Sequence, residues 1–147
     1  MEITKALHTD HMELKKLIKA VNKSEDGAER KRLFAQFAEL LVKHSRAEEK
    51  IVYDALIKTG EEEEEEAGYE GYTEHGLADS LLAQLKGGAD PMSPEWSAQA
   101  KVMMEILDHH IKEEEDEVFS QVKEDFDTAE RKDMGDAFEA QKEKVKA

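Results

Sequence analysis

The sequence predicts an all-α fold: an up-down-up-down four-helix bundle with a short additional C-terminal helix. Three observations carry this. Apolar residues recur every three or four positions in four long blocks. Both prolines, Pro91 and Pro94, fall in one short stretch, so nothing breaks a helix elsewhere. Charged residues match hydrophobic ones at 39% each, with only 6% aromatic, a composition suited to amphipathic helices rather than a β-sandwich.

The first block runs from about Thr4 to Val21, with Leu7, Leu14, Leu17, Ile18 and Val21 on one face. Asn22 to Gly27 reads as a polar turn. The second block runs from about Ala28 to Lys58 and stops at Gly60. The six glutamates Glu61 to Glu66 read as a solvated helix end or loop, and Gly68 and Gly71 as a connection. The third helix is expected from about Thr73 to Lys86, ended by Gly87-Gly88. Ser93-Pro94-Glu95 supplies an N-cap, a proline at the first helical position and an acidic first turn for a fourth helix to about Lys123. A fifth segment, about Thr128 to Lys146, has a weak stripe of Met134, Ala137 and Phe138 and should pack outside or at the end of the bundle. The 147 residues fit one domain, with the core bundle at about 3–123 and a helical extension at about 128–146.

Composition also excludes functions. A net charge of −15 repels phosphate backbones and anionic membranes, so neither nucleic acid nor a membrane is an expected partner. The absence of cysteine removes disulfides, thiolate zinc sites and iron–sulfur clusters. Met1 to Lys5 lacks a basic-then-apolar leader, and no apolar run nears the ~20 residues that span a bilayer. The expected location is the cytoplasm. No Gly-x-Ser-x-Gly elbow or glycine-rich phosphate loop occurs, so no catalytic nucleophile is assigned.

The chemistry lies in the apolar seams. His11 shares a face with Leu7, Leu14 and Ile18, and His44 and Glu48 share one with Phe37, Leu40, Ile51 and Ala55. His75 lines up with Ala78, Leu82 and Leu85, and His110 and Glu114 with Met103, Leu107 and Val118. Each helix thus places a histidine inward, and two add a glutamate one turn on. Buried carboxylates without partners cost several kcal/mol, by order of magnitude, and a central cation offsets that cost. The donor set suits iron, manganese or zinc. The ferritin-like carboxylate pattern needs Glu-x-x-His pairs, which are missing here.

The segments Leu7-His8-Thr9-Asp10-His11, His44-Ser45-Arg46-Ala47-Glu48-Glu49, Glu74-His75 and His110-Ile111-Lys112-Glu113-Glu114-Glu115 resemble the hemerythrin-like (HHE cation-binding) domain family. The resemblance covers roughly Ile3 to Val122. It implies two oxo- or hydroxo-bridged irons held by His11, His44, Glu48, His75, His110 and Glu114. His8 lies one turn before His11 and could replace it, but the Asp10-His11 pair is what the family shows. His109 is read as lying behind the ligands or on the surface. Oxygen carriers of the family have a further histidine four residues after the third-helix one. Here that residue is Asp79, a seventh ligand or a solvated residue. The chain therefore resembles the variant branch, which implies binding or reaction with oxygen, peroxide or nitric oxide, in sensing, detoxification or a redox role. A catalase-like or oxygen- or nitric-oxide-reducing activity is one expectation. An iron buffer without turnover and a metal-free structural bundle are the alternatives. The redox partner is unknown, and a monomer or weak homodimer is expected. Tyr53, Tyr72 and Trp96 could take part in electron transfer or hydrogen bonding, but are read mainly as packing residues.

Overall fold

The computed structural model describes residues 1–147. Four antiparallel rods form the bundle. The first is α1 (Ile3–Lys23). The second is continuous through α2 (Gly27–Glu48), a π-helical turn π1 (Glu49–Tyr53) and α3 (Asp54–Lys58). The third is α4 (Glu62–Gly87). The fourth runs through α5 (Pro94–Glu113), a second π-helical turn π2 (Glu114–Val118) and α6 (Phe119–Asp125). A fifth helix, α7 (Thr128–Lys144), packs along α1 and α2. Each rod lies against the next, and the fourth closes back on α1.

Local chemistry sets the boundaries. The Glu2 side chain accepts from the Thr4 and Lys5 amides, Asp26 from Ala28, and Ser93 from Trp96. Asp127 and Glu130 form a reciprocal capping box at the start of α7. Gly60 ends the second rod with φ of 72°, where a side chain would clash with the backbone.

Two expectations change here. The third helix starts at Glu62 rather than near Thr73. The glutamate run forms its first turn, where negative charge opposes the positive end of the helix dipole. Gly68 and Gly71 therefore lie inside α4, not in a connection. Both are buried, and a Cβ at Gly71 would occupy the ring of Tyr53. These glycines let α4 approach π1.

The inward register also shifts after each glutamate. The wider π turn rotates the chain, so Val52, Tyr53 and Leu56 face the core instead of Ile51 and Ala55. Val122 is buried beyond π2, whereas Val118 is only partly covered. On α7 the buried positions are Gly135 and Phe138, and Ala137 is exposed.

The core falls into two hydrophobic clusters. One is built around Leu14, Phe37, Leu85, Trp96 and Met103. The other joins Ile3, Leu7, Val52, Tyr53, Leu56, Val122 and Phe138. The expected site residues lie between the two clusters. Trp96 fits its packing role, with its Nε1–H donating to the Leu85 carbonyl at 2.9 Å. Buried Arg30 clamps the far end by donating to the carbonyls of Val21 (2.9 Å) and Pro91 (2.6 Å) and to Ser97 Oγ (2.8 Å).

Candidate metal centre

The polar layer is made by one turn of each rod. His11, His44, His75 and His110 are all buried, and Glu48 and Glu114 are 0% and 2% exposed. His11 Nε2 lies 3.2 Å from Glu114 Oε1, and His110 Nε2 lies 3.2 Å from Glu114 Oε2. Glu48 Oε1 is 3.4 Å from His44 Nε2 and 3.2 Å from His75 Nε2. Glu114 therefore links α1 to α5, and Glu48 links α2 to α4.

Two donor groups result. His11, His44, Glu48 and Glu114 converge on one point, and Glu48, His75 and His110 on another. Glu48 belongs to both. All six residues expected from the sequence are thus brought together.

The outer nitrogens are held just as regularly. His44 Nδ1 lies 2.8 Å from Asp10 and His75 Nδ1 2.8 Å from Glu49. His110 Nδ1 lies 2.8 Å from Glu74 and His11 Nδ1 2.7 Å from Glu115. Each carboxylate is the sequence neighbour of an inward residue but serves a histidine on the next rod. A helix turns about 100° per residue, so the neighbour of an inward side chain faces the adjacent helix. The buttressing runs in a closed ring: first rod to second, second to third, third to fourth, fourth to first. Each Nδ1–H is thereby directed outward, which turns each Nε2 towards the centre, with its lone pair free once the imidazole is neutral.

The interior is incompletely satisfied. His11 Nε2 and Glu114 Oε1, though 3.2 Å apart, do not meet in hydrogen-bond geometry, and Glu48 Oε2 is buried without a hydrogen-bond partner. Unpaired buried polar atoms are rare and costly. Nitrogen and carboxylate donors that converge in this way fit metal cations.

Charge follows the same pattern. Burial pushes the His44 imidazolium down, but Glu48 and Asp10 together outweigh it and raise the group to about 9. His110 is raised well above its usual range against the cost of burial, chiefly by Glu114. Glu114 is itself held well below the ordinary carboxylate range despite its burial, by its hydrogen-bonded neighbours and His110.

Of the three aromatics expected mainly to pack, Tyr53 takes the hydrogen-bonding role and sits in the centre. Its hydroxyl donates to Glu114 Oε2 at 2.6 Å and lies 3.1 Å from Glu48 Oε1. It also lies 3.3 Å from His75 Nε2 and 3.4 Å from His110 Nε2. Tyr53 stands five residues after Glu48, and Phe119, which stacks on His11 at 6.1 Å, stands five after Glu114. A π turn bonds residue i to i+5, so it brings that residue around towards the glutamate's side. The recurrence of an aromatic five residues after each His-x-x-x-Glu was the signal available in the sequence.

The remaining candidates lie outside. Asp79 takes both oxygens to Arg46 Nη2, at 2.9 and 2.7 Å, and is not in either donor group. His8 is exposed and meets Glu115 at 3.0 Å. His109 is exposed and meets Glu113 at 2.9 Å. Tyr72 donates to Asp54 at 2.6 Å, away from the centre.

Two small cavities flank the layer. One, of about 20 Å³, has apolar walls from Leu14, Leu41, Met103 and Leu107 and is floored by the four histidines. The other, of about 30 Å³, is acidic, with Glu70, Glu74, Glu113 and Glu117 leading to Tyr53 and Glu114. Each has room for one or two water-sized molecules.

A family model described as the hemerythrin HHE cation binding domain matches residues 2–122. A DNA nickase of Nostoc sp. is 25% identical over 146 residues, which are 99% of this chain and 40% of that protein. The chain thus spans less than half the length of that relative. No solved structure matches.

Proposed function

Because this chain belongs to the hemerythrin HHE cation-binding family, we propose that its centre holds two irons and binds or reacts with dioxygen, peroxide or nitric oxide. The observation that carries this reading is the pair of donor groups sharing Glu48, lined by orphaned inward atoms. His11, His44 and Glu114 would hold one metal position, His75 and His110 the other, and Glu48 would serve both. Bound irons would supply electrons and open coordination positions to a small ligand.

The surrounding residues decide what reaches that ligand. The apolar cavity excludes bulk water and suits a neutral diatomic molecule. Burial and two flanking carboxylates push the Tyr53 hydroxyl well above its usual value, so it keeps its proton and acts as a hydrogen-bond donor. Asp79, paired with Arg46, leaves open the position that a further histidine fills in oxygen carriers. Fewer protein ligands mean more exchangeable positions, which favours reaction or sensing over reversible carriage.

The nickase relative does not extend to a DNA role for this chain on our reading. A net charge of −15 opposes a phosphate backbone. No helix is long and apolar enough to cross a membrane.

The test is elemental analysis and an optical spectrum of untagged protein after anaerobic ferrous loading. About two irons per chain, as two octahedral positions require, with a near-ultraviolet band altered by peroxide or nitric oxide, is the expected result. A supercoiled plasmid should stay intact with the loaded protein. A chain that takes up no metal sinks the proposal and leaves a metal-free bundle. Metal bound without any change on adding peroxide, oxygen or nitric oxide would leave an iron store.

A further inference from the structure

The outer carboxylates are not equally supported. Glu49 is met by Arg46 from one turn earlier on its own rod, at 3.2 Å. Glu115 is met by His8, and Glu74 has no lysine or arginine partner. Asp10 alone is answered from outside the four rods. Lys142 of α7 places its Nζ 2.9 Å from Asp10 Oδ1 and 3.0 Å from Oδ2. Both side chains are largely covered, 15% and 9% exposed, so this is not the freely hydrated pair that contributes little.

Three residues on one face of α7 seat the helix here. Gly135 lets the backbone close onto the Met1 carbonyl, which a Cβ would strike. Phe138, one turn on, is fully buried and packs at right angles to the His44 ring, with centroids 5.6 Å apart and planes at 82°. Lys142 follows one further turn on, its Nζ 4.9 Å from the Phe138 ring centroid. His44 is thus gripped twice by α7: directly by Phe138, and through Asp10 by Lys142.

We propose that α7, which lies beyond the family-matched residues 2–122, is a positioning element for one of the two metal positions, fixing the His44 ring through Lys142–Asp10 and Phe138. The proposal rests on the metal-centre reading of the same site. Lys142 holds both Asp10 oxygens, which fixes the carboxylate plane, and Asp10 in turn fixes the direction of the His44 Nδ1–H. The position held by His11 and His44 therefore depends on α7, and the one held by His75 and His110 does not. A purely structural role would make α7 a cover for the apolar flank, with no bearing on the His44 ring.

The test uses the full chain with Lys142→Met, Lys142→Arg as rescue, and exposed Lys144→Met as control. Ring nitrogen resonances of the four histidines are read first, in metal-free protein labelled at histidine. Stepwise zinc and ferrous affinities are then read by competition with a chelator. Lys142→Met should shift the His44 resonances and leave those of His75 and His110 in place. It should weaken one of the two binding steps about tenfold, the low end of the range for outer partners of metal ligands. Lys142→Arg should restore both. Phe138→Leu, which keeps an apolar plug but removes the aromatic ring, should move the same His44 resonances. Unchanged His44 resonances with both affinities at the wild-type value would overturn the proposal. If the wild-type chain takes up no metal, the functional reading fails, and the His44 resonances still decide whether α7 positions this ring.

Discussion

At the scale of single residues, Tyr53 concentrates the chemistry of the centre. It is the one side chain whose hydroxyl is within 3.4 Å of both carboxylates and of two histidines. Tyr53→Phe keeps the ring that packs on Gly71 and removes only the donor. The two buried carboxylates then lose a hydrogen bond they cannot replace from solvent. The metal-free variant should be destabilised by about 1–3 kcal/mol, read by urea denaturation. If the hydroxyl also delivers protons, turnover of peroxide by the loaded protein should fall on the order of 10²-fold, read by stopped-flow decay. Unaltered stability would show that the hydroxyl contributes nothing to the carboxylates.

At the scale of elements, the two π turns, the first with glycines opposite it, explain why the second and fourth rods carry aromatics into the site. Each π turn starts at or just after a glutamate and rotates the following residues. The turn carrying Tyr53 is accommodated because α4 has no side chain at position 71. Gly71→Ala would drive a methyl into the tyrosine ring. The expected cost is about 1–3 kcal/mol, with loss of the optical change on ligand addition. Gly76 lies in the same helix, exposed, with nothing within 4 Å of its missing Cβ. Gly76→Ala should instead stabilise the protein by about 0.4–1 kcal/mol. Thermal unfolding of the pair distinguishes packing from propensity, because both changes have the same intrinsic helix gain.

At the scale of the whole molecule, the centre sets the dependence of stability on pH. His44 is raised to about 9, and His75 and His110 are raised as well, each against the cost of burial. A group raised above its unfolded value of about 6.5 stabilises fully below that value and loses its contribution as pH climbs through the folded one. Asp10, Glu74, Glu114 and Glu115 are lowered, so their contribution holds above about pH 4.5 and is lost on acidification. The metal-free protein should be most stable between about pH 5 and 6.5 and weaken steadily towards pH 9. Metal reverses the upper limb, since ligation requires neutral imidazole. The rise in Tm on adding metal should therefore grow from about pH 6 to 9. Parallel Tm curves with and without metal would refute a histidine-held centre.

Much of this was legible in the chain alone. Apolar spacing of three and four gave the rods, and a histidine in each seam with two His-x-x-x-Glu pairs gave the six residues that meet. These are local properties, because one helical face is written in the order of its own residues. What lay out of reach depends on neighbours. The carboxylate beside each inward residue serves a histidine on another rod, and no spacing within one helix reveals which. The extent of α4 was hidden because glycines that admit a close helix look the same as glycines that end one. Tyr53 entered the site through a π turn, and Lys142 through the docking of α7. Both contacts join residues distant in sequence, so only the packed bundle could decide them.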